Sequence, residues 1–279
     1  MSLLTNLKSK MRNFSSTESK FLFGIPLIGS HLTEDFKQVC CLLGKTLVSC
    51  LQQTDVNFEI YVACNEVPDA RFVPSSPKIH YILTKRLHKS ELEKEPRADV
   101  SLKRHILMNA AANARASYYC QFDADDLVSR HLVASVKQSG NPNGYLLGAG
   151  YLLDSRTQSL YLFPNSQFPD LPFYELCGSS NVVSLNSSSS AEAAEANIRY
   201  LESIISPGHF MAQKSFIKQG RPALVMNFPA CIYRANHGSN LYLQLNRSER
   251  TNFIDAVAST CKPLTGSELV KARMEFCFV

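Results

Sequence analysis

Asp123, Asp125 and Asp126 close the stretch Tyr118-Tyr119-Cys120-Gln121-Phe122-Asp123-Ala124-Asp125-Asp126. An aromatic and apolar run that ends in acid reads as a buried strand delivering carboxylates to its own tip, and parallel sheets bind ligands beyond such tips. On an extended backbone Asp123 and Asp125 share one face while Asp126 takes the other. Like charges on one face repel unless a cation lies between them. Hard carboxylate oxygens suit Mg²⁺ or Mn²⁺ better than zinc, and a diphosphate would complete the shell of such an ion.

A strand tip needs a sheet behind it, and the preceding chain supplies one. The continuous apolar run from Phe21 to Ile28 reads as a buried first strand. Thr33 can cap a helix running to about Gln53, in which Phe36, Val39, Cys40, Leu43, Leu47 and Cys50 recur at helical spacing. Phe58 to Cys64 is a second buried strand, so parallel pairing with a right-handed crossover follows. Lys78 to Leu83 reads as a third strand and Lys85 to Asp99 as an exposed loop. Asp99 or Ser101 can cap the next helix, through Leu102, Ile106, Leu107, Ala110, Ala111 and Ala114, with Lys103 and Arg104 in its first turn. The acid-tipped strand comes next, and Ser129 can cap a helix after it.

The second half changes character. Strands at 144–153 and 160–163 flank the turn 154–159, which brings in antiparallel pairing. A proline-rich loop leads to Cys177-Gly178-Ser179-Ser180, a low-complexity run precedes a helix from Ala191, and further helices close the chain. The predicted organisation is a polar leader at 1–20, a first half at 21–143, a second half of the same domain at 144–250 and terminal helices at 251–279.

Composition narrows the function classes. With 279 residues, 45% hydrophobic and 19% charged, the chain reads as an ordinary globular protein with a substantial core. A net charge of +5 is too mild and too dispersed for a nucleic-acid binder, though it favours an anionic substrate or peripheral contact with an anionic membrane. Nine cysteines without a C-x-x-C pair read as buried free thiols in a reducing cytosol. The leader lacks the apolar core of a signal peptide, and no stretch reaches transmembrane length, so a cytoplasmic protein, loosely membrane-associated at most, is expected.

Gly24-Ile25-Pro26 in the first strand, the Lys103 helix, the run from Tyr119 to Asp126 and Ser129 beyond it together resemble a family 2 glycosyltransferase of the GT-A fold. The likeness covers roughly Phe21 to Asn246 and is most specific through Arg130. It implies an α/β fold, a Rossmann-like mostly parallel sheet flanked by helices with an antiparallel C-terminal part. It also implies transfer of a sugar from a nucleoside-diphosphate sugar to a hydroxyl on a glycan, lipid or small acceptor, with Mn²⁺ or Mg²⁺ on the diphosphate.

By the same resemblance Asp125 is a direct metal ligand, Asp123 binds ribose or shares the metal, and Asp126 orients the cluster. His237, after the strand Ala230 to Tyr233, completes the metal shell. Pro26, Lys103, Arg104 and Arg234 fall on the donor side, with Asn240 a further phosphate contact and Gly178-Ser179-Ser180 an approach to sugar hydroxyls. Two departures stand out. The second strand ends Ala63-Cys64-Asn65-Glu66, so Asn65 occupies the place where the family often has a base-reading acid. No acid lies between Glu202 and Glu249, where inverting members carry a Glu-Asp pair. His209 stands near that place and becomes the candidate base for an inverting transfer, with Asp170 and Glu175 in reserve. Three readings remain open at this point: an inverting or retaining transferase, a catalytically degenerate nucleotide-sugar-binding protein of the same fold, and a phosphohydrolase with Asp123 as nucleophile.

Overall fold

The structure, a computed structural model, describes residues 19–95, 97–238 and 247–278. Most of the 1–20 leader and Asn240 lie outside the described residues. All six residues of β1 (Phe21–Pro26) are buried, as they must be for a strand covered on both faces. Phe21, Phe23 and Ile25 point into one apolar cluster, and Leu22 points into another on the opposite face. The helix α1 (Phe36–Leu51) connects β1 to β2 (Phe58–Cys64), which pairs with it in parallel. Its N-cap is Asp35, whose carboxylate accepts from Gln38 N at 2.8 Å, two residues after the predicted Thr33.

β3 (Ile79–Leu83) adds in parallel to β2. The segment predicted as a loop after it contains a short helix, α2 (Lys89–Lys94), held by a capping box at His88 in which Glu91 accepts from the His88 backbone N–H. The next helix, α3 (Ala98–Asn113), starts after an Arg97 N-cap, so Asp99 sits inside the first turn and does not cap it. β4 (Tyr118–Gln121) then pairs in parallel with the far side of β1.

The acids do not lie on the strand. β4 ends at Gln121, and the chain turns through 123–126, with Asp126 N donating to Asp123 O at 3.3 Å, before the two-residue β5 (Leu127–Val128). The alternation predicted for an extended backbone is therefore replaced by turn geometry. α4 (Leu132–Ser139) follows a His131 N-cap, while Ser129, predicted as the cap, is fully buried with its hydroxyl on Glu275.

The eleven-residue β6 (Gly144–Asp154) and β7 (Ser159–Phe163) form the predicted antiparallel pair. After α5 (Phe173–Leu176) comes β8 (Asn181–Ser184), which lies between β4 and β6 and runs antiparallel to both. α6 (Ala191–Ile205) and α7 (Ala212–Lys218) lead to β9 (Leu224–Ala235), parallel to β6 and antiparallel to β5. The sheet order is β3-β2-β1-β4-β8-β6-β9-β5, with β7 also on β6. This is the mixed α/β arrangement predicted, parallel through β4, with antiparallel pairs entering at β8, β7 and β5 while β6 and β9 run parallel.

Strand polarity decides which loops meet. Because β8 opposes β4, the loop that enters β8 lies at the end where β4 releases its acids. Two reversals make β9 parallel to β4, so the chain leaving β9 emerges at that same end. On one face α3 and α6 pack through Leu107, Ala111, Leu201 and Ile204 against Leu22, Tyr119 and Val183. On the other, α1 packs through Leu43 and Leu47. α8 (Arg247–Thr260) and α9 (Gly266–Phe276) cover the β9 side through Ile254, Val257, Ala272 and Phe276. Among the described residues no helix is long and apolar enough to cross a membrane. All nine cysteines are free, six of them buried.

Candidate active site at the acid turn

A cavity of about 830 Å³ opens over the ends of β1 and β4. Pro26, Lys103, Arg104, Asp123, Asp125, Glu175, His209 and His237 all line it, although they come from distant parts of the chain. The acid turn at its centre is fixed from several sides. From α1, Thr46 Oγ1 donates to Ala124 O at 2.9 Å and Ser49 Oγ accepts from Val128 N at 3.2 Å. From the loop before β8, Ser179 Oγ accepts from Asp123 N at 2.8 Å and donates to Asp126 Oδ2 at 2.6 Å. One hydroxyl thus staples both ends of the turn, a role the sequence did not assign to it.

Asp126 faces inward. It is fully buried; besides Ser179 it takes the Cys177 thiol at 3.3 Å and the Arg234 backbone N–H at 3.0 Å. Burial pushes its carboxyl well above the usual range; the neighbouring charges of Asp125 and Asp123 push the same way, while Ser179 and Arg234 N–H pull back. Cys177 and Cys231 lie 3.9 Å apart beside it, and burial raises both thiols, Cys231 to about 11. Among the described residues, Asp126, Cys177 and Cys231 are the one group of three or more acid, thiol or imidazole ligand atoms within 4.8 Å of one another. Burial disfavours the thiolate at both cysteines, Cys177 donates to Asp126 and Cys231 meets Cys177, so this is an interior hydrogen-bond node, since a metal would need thiolates.

Asp125 faces the cavity, and His237 Nε2 meets its Oδ2 at 2.6 Å. His237 arrives there because Asn236 turns the chain at φ 58°, a left-handed conformation that Asn tolerates, with its side-chain amide donating to Asp154 Oδ1 at 3.0 Å. Asp123 points elsewhere along the same wall. Its Oδ1 lies 3.6 Å from the Arg104 guanidinium, and a Cβ placed on Gly178 would sit 2.5 Å from its Oδ2. Only glycine lets that loop pass so close to the carboxylate. Asp125 and His237 are therefore paired, and Asp123 stands apart beside Arg104. With the Gln121 amide oxygen turned toward it, Arg104 donates from Nε at 2.5 Å and from Nη2 at 3.1 Å, so the end of β4 holds this guanidinium on the wall.

Four sequence expectations are corrected by placement. Lys103 is fully buried, and its ammonium donates to Leu27 O at 2.7 Å, Asn65 Oδ1 at 2.7 Å and Asp99 Oδ2 at 2.6 Å. Three donors are spent on three acceptors, which leaves none for a phosphate. Burial pulls its pKa down, with Asp99 opposing. Asn65 is spent as well: besides accepting from Lys103, its amide donates to Thr84 Oγ1 at 3.1 Å and Lys85 O at 2.9 Å, and it does not line the cavity. Arg234 is buried behind the acid turn, off the cavity wall, where burial lowers its pKa and the charges of Asp125 and Asp126 raise it. It neutralises the acids from behind. Asp170 is exposed on the proline-rich loop, outside the cavity.

On the other side of the cavity, α5 packs against the short turn His209–Met211, and Tyr174 Oη donates to Gln213 Oε1 at 3.2 Å. That contact brings Glu175 and His209 to one part of the wall, together with the exposed ring of Phe210. Asp99, Gln121, Asn181 and Phe210 also line the cavity, and the sequence reading assigned none of them to the site.

No protein-family model matches this chain, and no curated protein matches it. Among solved structures it is similar to the crystal structure of S. aureus TarS, at 10% identity and a TM-score of 0.45, over 82% of this chain and 38% of that one. It is also similar to the crystal structure of 4-diphosphocytidyl-2C-methyl-D-erythritol synthase, at 14% identity and a TM-score of 0.41, over 75% of this chain and 90% of that one. Likenesses this remote carry nothing about activity.

Proposed function

We propose that this chain is a glycosyltransferase of the GT-A kind that moves a sugar from a nucleoside-diphosphate sugar to an acceptor hydroxyl. The observation that supports it most is the meeting of Asp123, Asp125, Arg104 and His237, from three separate segments, on the wall of one cavity at the carboxyl end of β4. Asp125 and His237, paired at 2.6 Å, offer a carboxylate and an imidazole to a divalent cation of the Mn²⁺ or Mg²⁺ type, and the nitrogen favours Mn²⁺. When bound, such an ion would take up negative charge on the leaving diphosphate. Asp125 and His237 would hold it, with Asp123 contributing from the Arg104 side or meeting the ribose.

The chain's own residues account for the rest. Arg104, held by Gln121 through Nε and Nη2, would offer its remaining N–H groups and its charge to phosphate oxygens. Arg234 sits behind the acids and offsets their mutual repulsion. At the opposite wall His209, with Glu175 in reserve, accepts the acceptor hydroxyl's proton as its oxygen bonds to the sugar carbon; the electron pair of the breaking bond leaves on the diphosphate. This gives inversion at the sugar carbon.

The test is release of nucleoside diphosphate from UDP-, GDP- and dTDP-sugars in Mn²⁺. Turnover that drops about 10²- to 10⁴-fold in His209→Ala supports the reading. Folded protein that turns over none of these donors with either ion overturns it. A nucleotide-sugar binder without turnover is the second reading, favoured by the place of Asp170 outside the cavity and the lack of any acid between Glu202 and Glu249. Donor binding without product release selects it.

A further inference from the structure

Eleven large apolar side chains are exposed among the described residues, and four of them, Phe210, Ile217, Leu224 and Val225, fall in the one stretch 210–225. A lone exposed apolar residue is ordinary; a series of them marks a surface that something covers. The stretch begins at the cavity. Gly208, at φ 94°, turns the chain into His209–Met211, and a Cβ on it would lie 2.9 Å from the Phe210 ring, so only glycine lets the ring rest there with 59% of the residue open to solvent. In α7, which follows, Ala212, Ser215 and Phe216 form the buried stripe. Its outer face carries Lys214, Ile217 and Lys218, and Ile217 is 61% exposed where a surface helix ordinarily has a polar residue. Phe216 abuts Gly144, and Leu224 pairs with the next residue, Tyr145, so α7 packs beside the start of β9.

The charge here has one sign. Between Glu202 and Glu249 the sequence holds no acid, and the two lysines flank Ile217. We infer that this face docks on an anionic phospholipid bilayer, with Phe210 and Ile217 entering the acyl boundary and Lys214 and Lys218 meeting lipid phosphates. Apolar knobs set apart by lysines suit a deformable layer that closes around each of them, whereas a protein partner would need a groove cut to receive them. Because Phe210 also lines the cavity, docking brings the His209 wall to the lipid surface. The docking does not depend on the transfer reading.

The chain has no tryptophan, so Ile217→Trp supplies a single indole emitter on this face. With vesicles of equal parts phosphatidylcholine and phosphatidylglycerol, its emission is expected to shift to the blue and to be quenched by brominated acyl chains. Val56→Trp, at a position 74% exposed ahead of β2, is expected to show neither change. Wild-type chain is expected to co-sediment with the mixed vesicles about tenfold or more tightly than with phosphatidylcholine alone, and less tightly as salt rises. Lys214→Glu with Lys218→Glu is expected to weaken that binding about tenfold or more. Lys262→Glu with Lys271→Glu alters exposed lysines of the C-terminal segment and changes net charge equally, yet is expected to leave binding within about threefold. Wild-type chain that ignores both vesicles or binds them alike, unchanged emission at position 217, an equal shift at position 56, or equal losses in the two lysine pairs overturns the inference. So does a dimer in analytical ultracentrifugation that Ile217→Ser disperses while vesicles go unbound, which gives the face to a second copy of the chain.

Discussion

Asp125 and Asp126 are adjacent in the chain and chemically identical, yet the turn sends one into the cavity and the other into the core. Asp125 keeps 23% of its side chain exposed and meets His237; Asp126 is fully buried beneath three donors. On the cavity side of the turn Asp125 meets the His237 imidazole and Asp123 lies beside the Arg104 guanidinium, both on the cavity wall. The inner side has an acid whose two oxygens both already accept from donors. Position relative to the turn separates an acid that faces the cavity from an acid that holds the fold.

Substitutions on the two sides are expected to fail in opposite ways. Asp126→Ala strips the acceptor from Ser179, Cys177 and the Arg234 N–H and leaves Arg234 buried beside one fewer acid. A stability loss of roughly 3–5 kcal/mol in denaturant melts is expected, and a loss within experimental error would break the comparison. Asp125→Ala is expected to do the reverse. Donor turnover falls about 10²- to 10³-fold, while stability falls by about 1–2 kcal/mol, less than in Asp126→Ala, since Arg234 and His237 lose one acid but the fold's inner node stays intact. A large stability loss there would show that Asp125 is also structural.

Gly178→Ala sharpens the distinction between Asp123 and its neighbours. The added methyl group would lie 2.5 Å from Asp123 Oδ2 and must push that carboxylate away. Mn²⁺ affinity, measured by calorimetry, is expected to fall about tenfold; unchanged affinity would remove Asp123 from the cation shell and leave Asp125 and His237 alone.

The smallest effect concerns pH. Asp126 has a folded-state pKa raised by burial and by Asp125 and Asp123, so the folded chain holds its proton more tightly than the unfolded chain does. Its contribution to stability is full below the unfolded value of about 4 and is lost as pH rises through the folded one. Without divalent ions, Asp126→Asn is expected to flatten the fall in melting temperature over that range. An identical slope in variant and wild type would assign the pH dependence to other groups.

Much of the frame was legible because buried strands and amphipathic helices announce themselves. Phe58 to Cys64 forms the predicted strand residue for residue, and the helix from Ala191 begins where expected. The acid cluster and His237 were visible as residue types at the right places in the element order. What sequence could not show is which donors and acceptors are already spent. Lys103 and Asn65 looked like ligand groups but satisfy one another, and Arg234 looked like a phosphate contact but is buried behind the acids. Asp99 was legible only as a candidate helix cap, because its burial and its pairing with Lys103 exist only in the fold. Ser179 gave no hint of its staple, since that role exists only once β8 runs antiparallel beside β4.

The most direct measurement is calorimetric binding of UDP with Mn²⁺ and with EDTA, in wild type and in Asp125→Ala. If Asp125 and His237 hold a cation that grips a diphosphate, Mn²⁺ tightens UDP binding in the wild type by about tenfold or more and has little effect in the variant. Equal affinity in Mn²⁺ and in EDTA for the wild-type chain would contradict that claim.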